Sequence, residues 1–211
     1  MDITGYTVGP FAENTYLLAE GNHAILVDPG FYEREEFAAV QKKLDSSDLQ
    51  LTAVVLTHAH VDHILGLKRV LEQYTRPVYL SDKDRYLWNN YPSQARMFGF
   101  DVETIGIEPD PLPVKDQWQL GPFTFDVRYT PGHAPDHVVL YSAPDNLVIA
   151  GDTLFRDGIG RTDLYKGDFA TLERSIREKL YTLPEETVIY PGHGPKTSVG
   201  YEKSNNPFIK S

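Results

Sequence analysis

The stretch Thr57-His-Ala-His-Val-Asp-His-Ile-Leu-Gly66 places three histidines and one aspartate within six consecutive positions, from His58 to His63. Four potential metal donors at that density call for a cause beyond composition. The run just before it, Leu-Thr-Ala-Val-Val-Leu at 51–56, is apolar and β-branched enough for a buried strand, so the cluster falls where that strand ends. Side chains two apart in an extended segment face the same way, so His58 and His60 can converge on one cation. Asp62 and His63 then lie at the turn into a helix expected over 64–74, pointing to a second, adjacent position. The competing assignment makes Asp62 a helix cap and the histidines surface polar residues.

Three later sites weigh against that alternative. Thr130-Pro-Gly-His133 follows an alternating run at 123–129, Ala150-Gly-Asp152 follows an apolar run at 147–149, and Tyr190-Pro-Gly-His193 follows another at 187–189. Each offers one donor just past a strand. In both Pro-Gly pairs proline fixes φ and glycine accepts φ above zero, a tight turn that can aim His133 and His193 rigidly off a strand end. His23 and His137 are left over. His23 sits in a hairpin strand and reads as structural; His137, four residues after His133, reads as a supporting residue more than a ligand.

The chain has 211 residues, enough for one sizeable core, and no compositional shift marks a linker, so one domain over 1–211 is the expectation. No cysteine is present, which excludes disulfides, thiolate metal sites and a cysteine nucleophile, so any metal is held by nitrogen and oxygen. A formal net charge of −10 repels nucleic acid. The N-terminus shows no basic flank followed by an apolar core, and no stretch approaches the length of a membrane span. A soluble cytoplasmic protein without membrane or nucleic-acid partners, monomeric or a small homo-oligomer, is the expectation.

Segments 3–8, 14–19 and 23–27 read as strands, with Gly21-Asn22 as a hairpin turn. Helix 33–44, strand 51–56, helix 64–74 and strand 77–80 follow in a βαβα rhythm, then a short helix over 82–90. From 91 to 113 no periodicity stands out, and Pro109, Pro111 and Pro113 predict an irregular crossing segment. A strand-rich stretch over 114–149, a helix over 169–180 and a strand over 187–190 complete a second half. Two halves stacked sheet on sheet with helices outside would bring the strand ends, and their donors, to one edge.

The strings THAHVDH, TPGH, AGDTLF and YPGHG, in this order and at these separations, resemble the metallo-β-lactamase fold superfamily across essentially the whole chain. GPFAENTYLL near the start and GIGRTDL at 158–164 further resemble its short hydroxyacylglutathione hydrolase, or glyoxalase II-like, branch. The resemblance implies an α+β fold, a four-layer αββα sandwich of two mixed sheets, and a two-metal hydrolase of thioesters such as S-lactoylglutathione. It also implies that His58, His60 and His133 hold one cation, that Asp62, His63 and His193 hold the other, and that Asp152 bridges them. Zinc is the first choice, with iron and manganese suiting the same donors. Only 18 residues follow His193, so the helical C-terminal domain through which full-length glyoxalase II contacts glutathione is expected to be missing.

Two cations a few ångströms apart can share one hydroxide, lower its pKa and aim it at a carbonyl, so no protein nucleophile is needed. Asp62 and Asp152 are then the catalytic carboxylates, Asp62 also orienting the hydroxide. Thr57, Thr153 and Asp28 are candidate partners for the imidazole N–H groups. Arg161 is a candidate clamp for a substrate carboxylate, although an Arg161–Asp163 loop lock fits the residues equally. Tyr86, Trp88, Tyr91 and Phe98 could line an apolar wall or simply form core. A mononuclear iron persulfide dioxygenase using His58, His133 and Asp152, an ester or lactone hydrolase, and a non-catalytic metal-binding scaffold are the alternatives.

Overall fold

The strand read from 51–56 forms as β4 (Gln50–Val55), and its neighbours explain why its end matters. A computed structural model describes residues 1–210, which divide into two compact units, Met1–Leu112 and a second that begins at Pro113. In the first unit β1 (Asp2–Val8), β2 (Glu13–Glu20) and β3 (His23–Val27) form an antiparallel meander, with Gly21 at φ 59° in the hairpin turn. β3 then pairs parallel with β4, Val27 opposite Val55. Parallel pairing puts both C-termini at one edge, so Asp28 and Thr57 leave the sheet side by side. β5 (Val78–Leu80) and β6 (Asp110–Pro111) extend the sheet in parallel. β3 and β4 are buried almost throughout and read as apolar runs because both faces are covered.

Helix α1 (Arg34–Ser46) starts at Glu33 with a capping box to Glu36. The helix expected over 64–74 is two helices, α2 (Val61–Ile64) and α3 (Leu67–Gln73). The break falls at Gly66, whose N–H donates to the Pro29 carbonyl and whose Cα lies so close to Phe31 that a Cβ would sit 2.8 Å from that side chain. Asp62 and His63 therefore lie inside the first helical turn. The irregular segment expected over 91–113 is helical at its start, as α5 (Tyr91–Met97) behind the short α4 (Tyr86–Asn89), and closes with β6. Proline at the second position of α5 is compatible with a helix start and does not signal irregularity.

The second unit has its own mixed sheet: β7 (Trp118–Leu120), β8 (Phe123–Tyr129), β9 (Val138–Ser142) and β10 (Leu147–Gly151) run antiparallel in sequence order. β13 (Val188–Pro191) lies parallel to β10, Gly151 opposite Pro191, and β14 (Thr197–Ser198) closes the edge. A small ribbon, β11 (Leu154–Phe155) with β12 (Gly158–Ile159), follows Asp152. The helix expected over 169–180 is α6 (Phe169–Ser175) continued by a π-helical turn, Ile176–Leu180. In an α-helix four residues overshoot a full turn. The wider π turn undershoots it, so Leu172, Ile176 and Leu180 stay aligned, all three completely buried in one apolar cluster.

Past His193, where no element is expected from the sequence, the chain forms α7 (Val199–Asn205). Its Glu202 is buried, accepting from Thr197 Oγ1 at 2.6 Å, from Asn206 Nδ2 at 2.9 Å and from the Asp157 N–H at 3.2 Å. α7 thereby holds the turn between β11 and β12. Among the described residues no helix is long and apolar enough to cross a membrane.

The first Pro-Gly turn behaves as its sequence suggested: Gly132 has φ 126°, and an added Cβ would collide with the backbone of Leu172 in α6. The second differs, since the left-handed residue there is Gly194 at φ 76°, while the Gly192 N–H donates to the Gly151 carbonyl at 2.7 Å. Gly132→Ala should lower unfolding free energy by about 1–3 kcal/mol through strain, plus a clash that neither backbone can relieve. Gly121→Ala, at φ 59° with nothing within 4 Å of its added Cβ, should cost only about 1 kcal/mol. Urea titration of both variants compares the two costs.

Candidate metal centre

In the first unit Asp28 follows β3 in the left-handed region, φ 48°, a conformation aspartate tolerates better than most residues. Its buried carboxylate accepts from the Thr57 N–H at 2.7 Å and the Thr57 hydroxyl at 2.6 Å, and His63 Nδ1 lies 3.0 Å from Oδ2. Thr57 has one hydroxyl hydrogen. With it given to Asp28, the 3.0 Å contact between Thr57 Oγ1 and His58 Nδ1 requires the imidazole to donate. A carboxylate facing His63 Nδ1 likewise fixes the proton there. When neutral, both rings then present Nε2 as a lone pair. The ring centroid of His58 lies 4.2 Å from that of His63 and 4.8 Å from that of His60, so the three imidazoles cluster as the motif suggested. Asp62 Oδ2 lies 3.9 Å from His63 Nε2. Asp28, His58 and His63 also bring possible donor atoms within 4.8 Å of one another, but both Asp28 oxygens already accept hydrogen bonds, which makes it the support of the histidines.

In the second unit the parallel ends of β10 and β13 deliver Asp152 and His193 to one edge, and the β8–β9 loop brings His133 there. Asp152 Oδ2 lies 3.4 Å from His133 Nε2 and 3.5 Å from His193 Nε2. One carboxylate oxygen thus stands between two imidazole nitrogens. His133 Nδ1 is 2.8 Å from the Arg161 carbonyl, which can only accept, so His133 is protonated at Nδ1 and offers Nε2.

His137 is a support and its tautomer can be read directly. The Asp152 N–H donates to His137 Nε2 at 2.9 Å, so Nδ1 carries the proton and faces Thr130 Oγ1 at 3.0 Å and Thr153 Oγ1 at 3.2 Å. The completely buried His137 therefore anchors the backbone of Asp152. His23, by contrast, sits at the start of β3, paired in register with Glu20.

The Arg161 side chain is engaged by Asp163 through two parallel hydrogen bonds, Nε to Oδ1 at 2.7 Å and Nη2 to Oδ2 at 2.8 Å. The guanidinium holds the Asp163 carboxyl down at about 2. A substrate carboxylate would meet only the remaining face of the guanidinium, and the contact of Arg161 with the donor set runs through its carbonyl. The preceding Gly160 is required by space, since an added Cβ would collide with the Asp152 carbonyl and lie 3.0 Å from the His133 ring.

Two further supporting residues emerge from the fold. Gln94 in α5 donates through Nε2 to the Ala59 carbonyl at 3.0 Å, between His58 and His60. Glu13 opens β2, buried, with Oε1 3.7 Å from His63 Nδ1. Its one legible signal is its place in the string GPFAENTYLL, at the head of β2. Thr15 Oγ1 lies 2.9 Å from Glu13 Oε2 and 2.7 Å from the Asp28 carbonyl, one hydrogen for two acceptors. A proton on Glu13 resolves the conflict by making the carboxyl a donor, in line with burial pushing it well above the usual carboxylate range against the opposing pull of His63.

A carboxyl whose folded pKa lies above its unfolded one takes up a proton on folding. It costs nothing below the ordinary carboxylate range, and stability falls as pH rises from that range toward the folded value. Glu13→Gln, which keeps the shape of the neutral acid, should therefore melt with the parent at about pH 4 and above it at about pH 8. Thermal unfolding followed across that range checks the sign.

Residues 8–193 match the metallo-beta-lactamase superfamily, a span that takes in most of both units. The chain is 39% identical over 207 residues to the probable metallo-hydrolase YqgX of Bacillus subtilis, covering 96% of this chain and 94% of that one. It is 33% identical over 222 residues to the hydroxyacylglutathione hydrolase GloC of Haemophilus influenzae, covering 100% and 99%. Among solved structures, the BLEG-1 B3 metallo-beta-lactamase matches with a TM-score of 0.90 at 36% identity over the whole of both chains. TTHA1623, crystallised in a di-iron-bound form, matches at 0.88 and 37% identity, covering 98% of this chain and all of that one. With two mixed sheets, flanking helices and this histidine and aspartate set, the chain belongs to the metallo-beta-lactamase superfamily, as one of its metallo-hydrolases.

Proposed function

We propose that this protein is a thioesterase of the hydroxyacylglutathione hydrolase type that works with two divalent cations. His58, His60 and His133 would hold one, Asp62, His63 and His193 the other, and Asp152 would serve both. The observation that carries the reading is the uniform orientation of the supported rings: His58, His63 and His133 each direct Nδ1 at an oxygen within the fold, so that the neutral rings would offer Nε2 to a cation. Imidazole nitrogen with carboxylate oxygen, and no thiolate, suits zinc, iron or manganese. The likeness to GloC over the whole chain supports a glutathione thioester as substrate.

When bound, the cations would supply a water of lowered pKa and polarise the substrate carbonyl. The water oxygen would add to the thioester carbon and the C–S bond would break, giving a carboxylic acid and a thiol that has taken up the remaining proton. Asp62, partly exposed beside His63, would orient the water. Asp152, anchored through its N–H by His137, holds its carboxylate between His133 and His193.

Elemental analysis of the fully loaded protein should give two metals per chain, with release of free glutathione from S-lactoylglutathione and no oxygen uptake. A single iron per chain, with oxygen consumed on glutathione persulfide, would replace this reading with a dioxygenase; opening of β-lactams without thiol release would point to a lactamase. Asp28→Asn swaps an acceptor for a donor where His63 and Thr57 need acceptors. It should weaken metal binding by about ten- to a hundredfold in chelator competition, with the far-ultraviolet spectrum unchanged.

A further inference from the structure

We propose that Phe11, Phe98 and Phe100, with Tyr32 at the end of the row, form a subsite in the first unit for an apolar, preferably aromatic, acyl group of the thioester. The proposal rests on the thioesterase reading for the identity of its occupant. The four rings touch in series. Phe11 meets Phe98 edge-on at 5.2 Å between centroids and Phe100 at 5.8 Å, and Phe100 meets Tyr32 at 5.2 Å. Such a row is ordinary inside a core, yet Phe98 is 42% exposed and Tyr32 44%. Large aromatic faces left toward solvent in contiguous array mark a binding surface more often than isolated exposed rings do.

The row is linked to the donor-bearing helix through the segments that carry it. Phe11 lies in the tip between β1 and β2, two residues before Glu13. Gly9 in the same tip packs so closely on Gly30 that an added Cβ would sit 2.8 Å from the Gly30 carbonyl, and Gly30 in turn abuts the Asp62 backbone and the Glu13 carboxyl. Tyr32 is two residues beyond Gly30. Phe98 follows α5, one helical turn past Gln94, which is tied to the Ala59 carbonyl. Helix α2, bearing Asp62 and His63, packs against both β2 and α5. The row thus joins the β1–β2 tip, just before β2, to the residues just after α5.

Its chemistry selects the occupant. The contacts within the row are ring on ring, and rings in largely edge-to-face order offer both faces and edges to a further aromatic group. A lactoyl group, with three carbons and a hydroxyl, could use little of it; a phenylpropanoyl group could use much. One or two ring contacts in an apolar pocket change specificity roughly tenfold or more.

The test uses the metal-loaded protein with S-lactoyl and S-3-phenylpropanoyl esters of glutathione, and in parallel calorimetric binding of the free acids lactate and 3-phenylpropanoate. Expected is a kcat/KM ratio of roughly ten or more in favour of the phenylpropanoyl ester, falling toward one in Phe98→Ala and restored in part by Phe98→Leu. 3-Phenylpropanoate should bind more tightly than lactate in the parent, and the difference should shrink in Phe98→Ala. Hydrolysis of both esters with equal kcat/KM in parent and variant overturns the subsite and leaves the thioesterase standing. Absence of thiol release from either ester, with binding of 3-phenylpropanoate still dependent on Phe98, overturns the thioesterase and keeps the subsite. Should Phe98→Ala fail to fold, Phe11→Leu and Phe98→Leu carry the same comparison.

Discussion

One buried carboxylate organises the first half of the donor set. Asp28 accepts two hydrogen bonds from Thr57 and one from His63 Nδ1, and through the Thr57 hydroxyl it also decides which nitrogen of His58 carries the proton. This is possible because β3 and β4 are parallel neighbours, so that residues 28 and 57, far apart in sequence, emerge together. An antiparallel partner would have placed its end at the other edge. The second unit repeats the device with β10 and β13, which deliver Asp152 and His193. Strand direction, more than any single side chain, decides where donors can gather.

The parts of this arrangement that depend on local sequence were legible in it. Dense histidines after an apolar β-branched run, donors placed just beyond strand ends, and a Pro-Gly turn with positive φ at Gly132 need only neighbours along the chain. Asp28, Thr57 and His137 were legible as supports as well, whereas two others were not. Gln94 reaches Ala59 across 35 positions, and Glu13 matters only because folding sets it against His63 and Thr15. Helix breaks fall in the same class: nothing in residues 64–74 forbids one continuous helix, and it is the approach of Phe31 to Gly66 that divides it. The structure beyond His193 was missed because α7 is held largely by distant partners, among them the Asp157 N–H and the Tyr181 hydroxyl.

Arg161 shows how a residue can stand near a site for a reason other than its charge. Its guanidinium is turned to Asp163, and the atom that meets His133 is the carbonyl oxygen, which any residue would supply. What the position demands is the path of the backbone, and that path is constrained on one side by Gly160 against Asp152 and on the other by the Arg161–Asp163 clamp. α7 adds a third restraint through Glu202 and the Asp157 N–H.

The π-helical turn at Ile176–Leu180 has a bearing on how such a chain can change length. A π turn is the form a helix takes when one residue too many must fit between two fixed ends, with the surplus absorbed as a local widening. Here the ends are fixed by α6 docking on the Pro131-Gly132 turn and by Tyr181 bonding to the carbonyls of Glu202 and Ile209. The surplus is lodged on a helix that holds none of the donors, so an insertion or deletion of one residue there can be taken up as a switch between the two helical forms. The edge at which the histidines assemble keeps its register while the chain behind it grows or shortens.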